Sequence, residues 1–245
     1  MGVKNNILLL GGSGNLGKLI VQSNIFKNIF APTKKKINIL NKNELNKFII
    51  NNNISIIINC AAVARQNDCE KNPLKAKRIN IDGTINLVNS IKDKRVLLVQ
   101  ISSDAVYGFN SNDNKETDIL LPYNVYGCTK YHSEKIIKLI KNYIIIRTRF
   151  FIPDKKFPNY AIDIINSAIN IYELPKIINL LIQKKFRGTI NIGSKKNSNY
   201  GRMIKLQKNI KKTNWINIIK NNKFIMAKKT TMNLVKMKKI LGKKN

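Results

Sequence analysis

Carboxylates are scarce in this chain: 13 Asp and Glu stand against 45 Lys and Arg in 245 residues, for a formal net charge of +32. The single histidine, His132, has no second imidazole or nearby cysteine pair to share a metal with, and it reads as a helix-face residue. Three cysteines, Cys60, Cys69 and Cys128, lack metal-ligand spacing and cannot all pair within one chain, so neither a zinc site nor a disulfide framework is expected. Long apolar runs are missing too. Stretches such as Ile56-Ile57-Ile58 fall far short of the roughly 18 residues a membrane span needs. The apolar segment after Lys4 runs straight into a glycine turn, and Asn6 stands where a myristoylation motif wants Ser or Thr. These absences predict a soluble, cytoplasmic chain with no membrane partner.

Such a basic chain would ordinarily point to nucleic acid, whose phosphates Lys and Arg neutralise. Here the charge is spread over the whole length together with abundant Asn and Ile, so only nonspecific adhesion at low salt is expected, and no specific nucleic-acid partner. One asymmetry remains. No acidic residue follows Glu173, which suits a C-terminal lobe holding an anionic substrate.

What the sequence does have begins at its N-terminus. The apolar run Ile7-Leu8-Leu9-Leu10 leads into Gly11-Gly12-Ser13-Gly14-Asn15-Leu16-Gly17 and a helix-forming stretch. A strand ending in spaced glycines and opening into a helix lets backbone approach a dinucleotide pyrophosphate, with free N–H groups facing the charge. Two registers fit: Gly12, Gly14 and Gly17, or Gly11, Gly14 and Gly17. Apolar strands are expected near 4–10, 27–31, 54–60, 95–102, 143–149 and 188–193, with helices near 15–24, 43–52, 79–92, 123–142 and 173–184. The alternation predicts an α/β fold, a Rossmann-like doubly wound parallel sheet with a small C-terminal substrate lobe. Residues 1–150 would form the NAD(P)-binding domain, and 151–245 a shortened lobe plus late elements of the sheet. Residues 105–122, with Gly108, Asn110, Ser111, Asn112, Asp113 and Pro122, read as a long loop at a carboxyl strand end, where such folds bind substrate.

Chemistry enters at Tyr126-Gly127-Cys128-Thr129-Lys130. A phenol and an ammonium four residues apart share one helix face, and a nearby cation favours the phenolate. The spacing alone is unspecific, since Tyr131 with Lys135 and Tyr172 with Lys176 repeat it. Tyr126 is set apart by its context: a strand ending Ile101-Ser102-Ser103-Asp104 upstream, and Pro122-Tyr123-Asn124-Val125 leading into its helix.

With Asn59-Cys60-Ala61-Ala62, Cys69-Glu70-Lys71-Asn72-Pro73 and Asn80-Ile81-Asp82-Gly83-Thr84, these motifs occur in one order between residue 4 and about 151. In that order they resemble an extended short-chain dehydrogenase/reductase, of the branch containing dTDP-4-dehydrorhamnose reductase. The resemblance implies a catalytic set of Ser103, Tyr126 and Lys130. Ser103 would hydrogen-bond the substrate carbonyl, and Tyr126 would protonate its oxygen as hydride arrives from a nicotinamide. Lys130 would hold the nicotinamide ribose and lower the tyrosine pKa. Ser102 is expected to be structural, and Asn80 to support the site. Cofactor contacts are expected from Gly11, Gly14, Asn15, Leu16, Gly17, Lys34, Asn38, Ala61, Ala62 and Asn80, besides Tyr126 and Lys130. The family often pairs through helices near the catalytic one, which allows a homodimer.

No Asp or Glu lies between Gly17 and Glu44, where a ribose-binding carboxylate about 20 residues past the glycines would mark NAD. Asn38 takes that place, and Lys34-Lys35-Lys36 offers cations to a 2′-phosphate, so NADP is favoured and NAD is the alternative. After Phe151 the resemblance fades, although Gly188 to Gly193 looks like a late family strand. A nucleotide-sugar substrate follows from the resemblance. The leading expectation is reduction of a nucleotide-linked 4-keto-6-deoxy sugar; Asp104 after Ser103 favours it over the epimerase or dehydratase variant. A non-catalytic dinucleotide-binding subunit, resembling the regulatory subunit of methionine adenosyltransferase, is the alternative that the shortened lobe motivates.

Overall fold

The computed structural model describes residues 5–109, 111–222 and 226–242. The readings that touched Lys4 and Asn110 fall outside these residues. Six strands form one wholly parallel sheet: β1 (Asn6–Leu10), β2 (Ile29–Phe30), β3 (Ile54–Asn59), β4 (Leu97–Ile101), β5 (Tyr143–Thr148) and β6 (Gly188–Ile192). Their spatial order is β2-β1-β3-β4-β5-β6. The chain leaves β1 for one edge and returns to its other side as β3, so the topological switch point lies at their carboxyl ends, where such sheets bind ligand.

Burial on both faces explains the near-continuous apolar composition of these strands. Side-chain alternation sorts them into two layers. Ile7, Leu9, Ile56, Ile58, Val99, Ile144, Ile146 and Ile190 pack under α1 (Asn15–Gln22) and α7 (Leu174–Gln183). Leu8, Leu10, Ile57, Leu98 and Ile145 pack with residues of α2 (Lys42–Asn51), α5 (Gly83–Ile91) and α6 (Val125–Ile137) on the opposite face. Leu174, Ile177, Ile178 and Leu181 of α7 show the helical spacing that makes one apolar stripe.

Two short helices that periodicity did not reveal, α3 (Gln66–Lys71) and α4 (Pro73–Lys77), fill the gap after β3. A π-helical turn, Arg78–Asp82, joins α4 to α5. Strand β2 is shorter than expected, with two residues paired to β1. Beyond β5 the chain mixes late elements of the sheet, α7 and β6, with a lobe of two- and three-residue strands. Asn159–Ala161 pairs with Lys211–Thr213, and Ile165–Asn166 lies between Asn197–Ser198 and Lys229–Thr230. Helices α8 (Asn199–Met203), α9 (Trp215–Asn222) and α10 (Val235–Leu241) complete the described chain. Among the described residues no helix is long and apolar enough to cross a membrane.

Candidate active site

The glycine turn caps β1 in a backbone shape that needs glycine. Gly11 has φ +78°, and a Cβ there would lie 2.6 Å from the Ala61 backbone nitrogen; one on Gly17 would lie 2.2 Å from the Gly11 carbonyl oxygen. Gly14 precedes α1 as its N-cap, without a side-chain oxygen to occupy the helix's first N–H groups. This narrow cradle at a helix N-terminus fits a dinucleotide pyrophosphate. Gly11, Gly14 and Gly17 all line the adjoining cavity and Gly12 does not.

That cavity, of about 690 Å³, runs from the cradle past the ends of β3, β4 and β5 to the lobe. Asn15, Leu16, Cys60 and Ala62 border it beside the cradle; Ser103, Tyr126 and Lys130 lie along it; and Phe151, Tyr160 and Arg202 belong to its lobe wall. The three residues assigned to catalysis therefore face one space. Tyr131 and Tyr172 are absent from its lining. Lys135 Nζ sits 4.8 Å over the Tyr131 ring, and the Tyr172 hydroxyl donates to Asp154 at 2.6 Å, so both repeats of the spacing serve other contacts.

Helix α6 carries Tyr126 and Lys130 in a well-fixed frame. Asn124 caps it by accepting from Gly127 N at 2.7 Å, and Glu70 of α3 accepts from Val125 N at 2.8 Å. Burial pushes the Tyr126 phenol up to about 12, against smaller lowering effects of the Ser103 hydroxyl and the Arg149 guanidinium. Lys130 is 3% exposed and its ammonium donates to Ile101 O at 2.6 Å; burial brings it down to about 8, with Glu134 opposing. Electrostatically, then, the expectation that Lys130 lowers Tyr126 is not met in this arrangement: desolvation dominates, and Arg149 is the cation that acts on the phenol.

Two buried carboxylates on either side of this site are each met by an arginine from β5 or the residue beyond it. Arg147 grips Glu134 of α6 at 2.7 Å, with both side chains 1% exposed, and Ser102 donates to the same carboxylate at 2.5 Å. Ser102 is thus committed to structure, as expected. Arg149 Nε approaches Asp104 Oδ2 at 2.7 Å, side chains 21% and 2% exposed, but no N–H is aligned on that oxygen. Ser103 donates to Asp104 Oδ1 at 3.3 Å and accepts from Ala105 N at 3.2 Å.

Other cofactor assignments distribute differently. Ala61 abuts Gly11 and donates its N–H to Asn59 Oδ1, behind the lining. Asn80, 3% exposed in the π-helical turn, bonds Val63 N at 2.8 Å and Thr129 Oγ1 at 2.9 Å, tying the loop after β3 to α6 instead of facing the cavity. Lys34 is exposed and Asn38 half-buried in the loop after β2. Neither borders the cavity, and Asn38 Oδ1 accepts from Leu40 N. Arg149, Arg202 and Lys155 were not singled out from the sequence, yet they line the lobe side. Arginines at alternate positions of an otherwise apolar strand, Arg147 and Arg149, were the legible signal. Arg202 had none, lost among so many cations. The cysteines are free, and among the described residues no group of side chains could hold a metal ion.

The parallel sheet, with its glycine turn at the switch point joined by one cavity to Ser103, Tyr126 and Lys130, has the Rossmann-like fold of the extended short-chain dehydrogenase/reductase-like family. More narrowly, the chain belongs to the RmlD substrate binding domain family, which it matches over residues 5–175. It is 30% identical over 148 residues to dTDP-4-dehydrorhamnose reductase of Aggregatibacter actinomycetemcomitans, covering 58% of this chain and 50% of that one. It is 29% identical over 140 residues to methionine adenosyltransferase 2 subunit beta of Bos taurus, covering 54% and 42%. The matched part thus spans half or less of these relatives. In fold it is similar to dTDP-4-dehydrorhamnose reductase from Bacillus anthracis str. Ames in complex with NADP, with a TM-score of 0.85, 22% identity, and 99% and 93% of the two chains covered.

Proposed function

We propose that the chain reduces the 4-keto group of a nucleotide-linked 4-keto-6-deoxy sugar with NADPH. The observation that carries this reading is the composition of that cavity. It joins the cradle to Ser103, Tyr126 and Lys130, and Arg65, Lys130, Arg149, Lys155 and Arg202 line it against one carboxylate, Asp104. Such a space suits two diphosphates, one on each side of the reacting groups. When bound in the cradle, the reduced nicotinamide supplies hydride to the carbonyl carbon. Tyr126 keeps its proton at neutral pH because burial raises it to about 12, so it is held as an acid ready to protonate the carbonyl oxygen. Ser103 orients that oxygen, and Lys130 supplies a buried positive charge beside the cradle. Most of the rate would come from holding these groups in register. The cations of the loop after β2, Lys34 among them, favour NADPH over NADH.

The test is NADPH oxidation by the purified protein given dTDP-4-keto-6-deoxyglucose at near-physiological salt. Turnover is expected in the wild type, lost in Tyr126→Phe with NADPH affinity retained, unchanged in Tyr131→Phe and Tyr172→Phe, and weaker with NADH. Full activity in Tyr126→Phe would overturn the site. NADPH binding without turnover on any nucleotide-linked keto sugar would favour a binding subunit, the reading motivated by the similarity to methionine adenosyltransferase 2 subunit beta.

A further inference from the structure

Four buried side-chain atoms among the described residues have no hydrogen-bond partner: Gln66 Oε1, Asp104 Oδ2, Asn124 Nδ2 and Thr230 Oγ1. Such an atom gives up its hydration and gains nothing in exchange, so each calls for a reason. Asp104 Oδ2 has Arg149 Nε at 2.7 Å, and neither Asn124 nor Thr230 borders the cavity. Gln66 is the one that both lines the cavity and has no ion pair to account for its orphaned atom. Its helix fixes where it stands. Gln66 is the first residue of α3, and Glu70, one turn on, accepts from Val125 N at 2.8 Å, directly before Tyr126. Residues four apart share a helix face, so Gln66 projects on the side of α3 that meets the Tyr126 end of α6. The side chain is half-buried and its last torsion is soft, so the amide can turn its oxygen to a donor arriving in the cavity.

We propose that Gln66 is a specificity-determining residue whose amide oxygen accepts a hydrogen bond from the C3 hydroxyl of the keto sugar. The inference rests on the reductase reading. With Tyr126 protonating the oxygen on C4, the groups that flank Tyr126 meet the substituents on C3 and C5. In a 4-keto-6-deoxy sugar C5 carries a methyl group and the ring oxygen, neither of which has a proton to give. C3 carries a hydroxyl, and that hydroxyl is the donor Gln66 Oε1 lacks. A sugar without it enters the cavity and leaves the oxygen orphaned. Sites of this kind discriminate most strongly, because the wrong ligand leaves a buried polar group unpaired. The free protein bears the cost of the unpaired oxygen, and the correct substrate relieves it.

Gln66→Met keeps the length of the side chain and removes the acceptor. Wild-type kcat/KM is expected to be at least about tenfold higher with dTDP-4-keto-6-deoxyglucose than with its 3-deoxy analogue. The variant is expected to treat the two sugars within about twofold of each other, through loss on the hydroxylated one alone. A variant that keeps the wild-type preference would overturn the inference. Two readouts separate recognition from a structural role. The free variant is expected to melt above the wild type or within about 2 °C of it, since the orphaned oxygen is gone, and to bind NADPH with unchanged affinity. A larger drop in melting temperature would place Gln66 in the framework, and weakened NADPH binding would place it on the cofactor; either overturns the inference. Calorimetric titration of both sugars into NADP-loaded protein reads the same preference without turnover. A Gln66-dependent preference in binding, with no turnover, would overturn the reductase reading alone. Turnover with a preference that Gln66 does not govern would overturn the inference alone, and binding of neither sugar would overturn both.

Discussion

At the scale of single residues, the site trades stability for charge. Lys130 titrates at about 8 in the folded protein, well below an ordinary lysine near 10.4, because burial disfavours its ammonium. Its sign differs from that of a paired lysine. Between about pH 8 and pH 10.4 the unfolded chain binds a proton that the folded chain has shed, so stability rises with pH across that window. Below pH 8 the buried ammonium exerts its full cost. Lys130→Met is therefore expected to raise stability at pH 7 by about 1–3 kcal/mol, once the lost hydrogen bond is deducted. Ile101 O keeps a donor in Gln100 Nε2 at 3.2 Å. The same substitution should abolish NADPH binding, and wild-type affinity should weaken as pH rises through about 8. Thermal melts and fluorescence titrations across pH 6–10 (roughly the interval bracketing both values) check both; a variant that melts lower than the wild type would refute the burial argument.

At the scale of elements, β5 acts as the spine of the site. Its Arg147 reaches α6 through Glu134 and reaches the loop after β4 through the Tyr107 hydroxyl at 3.0 Å, while Asn191 of β6 accepts from that hydroxyl at 2.6 Å and donates to Asn114 O at 2.8 Å. Helix α6, β5, β6 and the loop after β4 are thus joined by one buried polar network. Breaking one side of such a buried pair leaves the other charge uncompensated. Glu134→Gln is expected to cost about 3–5 kcal/mol, read as a lowered denaturant midpoint at unchanged slope. A loss under about 1 kcal/mol would mean that Arg147 finds another acceptor. Much of this scale was legible beforehand. Buried parallel strands announce themselves as runs such as Ile56-Ile57-Ile58, and α7 by its stripe, because burial on whole faces leaves a pattern over many residues. The lobe's strands are two or three residues long and leave no period to read. The same limit hid α3 and α4, and with them the contact of Glu70 with Val125. In the site, Ser103, Tyr126 and Lys130 could be picked out because motifs surround them. Asn80 could be found but not aimed: its π-helical turn directs the side chain to Val63 and Thr129, and no spacing rule encodes that turn. Asp104 was visible as a neighbour of Ser103, whereas its partner Arg149 lies 45 residues away and depends on the register of β4 against β5.

For the whole molecule the governing quantity is a charge of +32 carried on one domain with its lobe. The few acids are partly withdrawn from the surface: Glu134 and Asp104 are buried against arginines, and Asp163 holds Lys228 at 3.2 Å. The exposed lysines consequently repel one another with little compensation, and that repulsion opposes the compact state. Because charges separated by more than a Debye length are screened, and that length falls from about 30 Å at 0.01 M salt to about 8 Å at 0.15 M, added salt should stabilise this protein. The direction is opposite to that of a fold resting on surface ion pairs, which salt weakens. Melting temperature is expected to climb steadily over that range of sodium chloride. A short DNA duplex retained at the low-salt end should be released by the high end, since diffuse charge gives nonspecific binding with a steep salt dependence. NADPH binding should respond less, because the cradle contributes backbone N–H groups and buried Lys130 is screened far less than the surface. Equal salt slopes for the duplex and NADPH would place the cofactor on the diffuse basic surface instead of in the cradle, and DNA binding that survives 0.15 M salt would reveal a nucleic-acid site that the even spread of lysine does not predict.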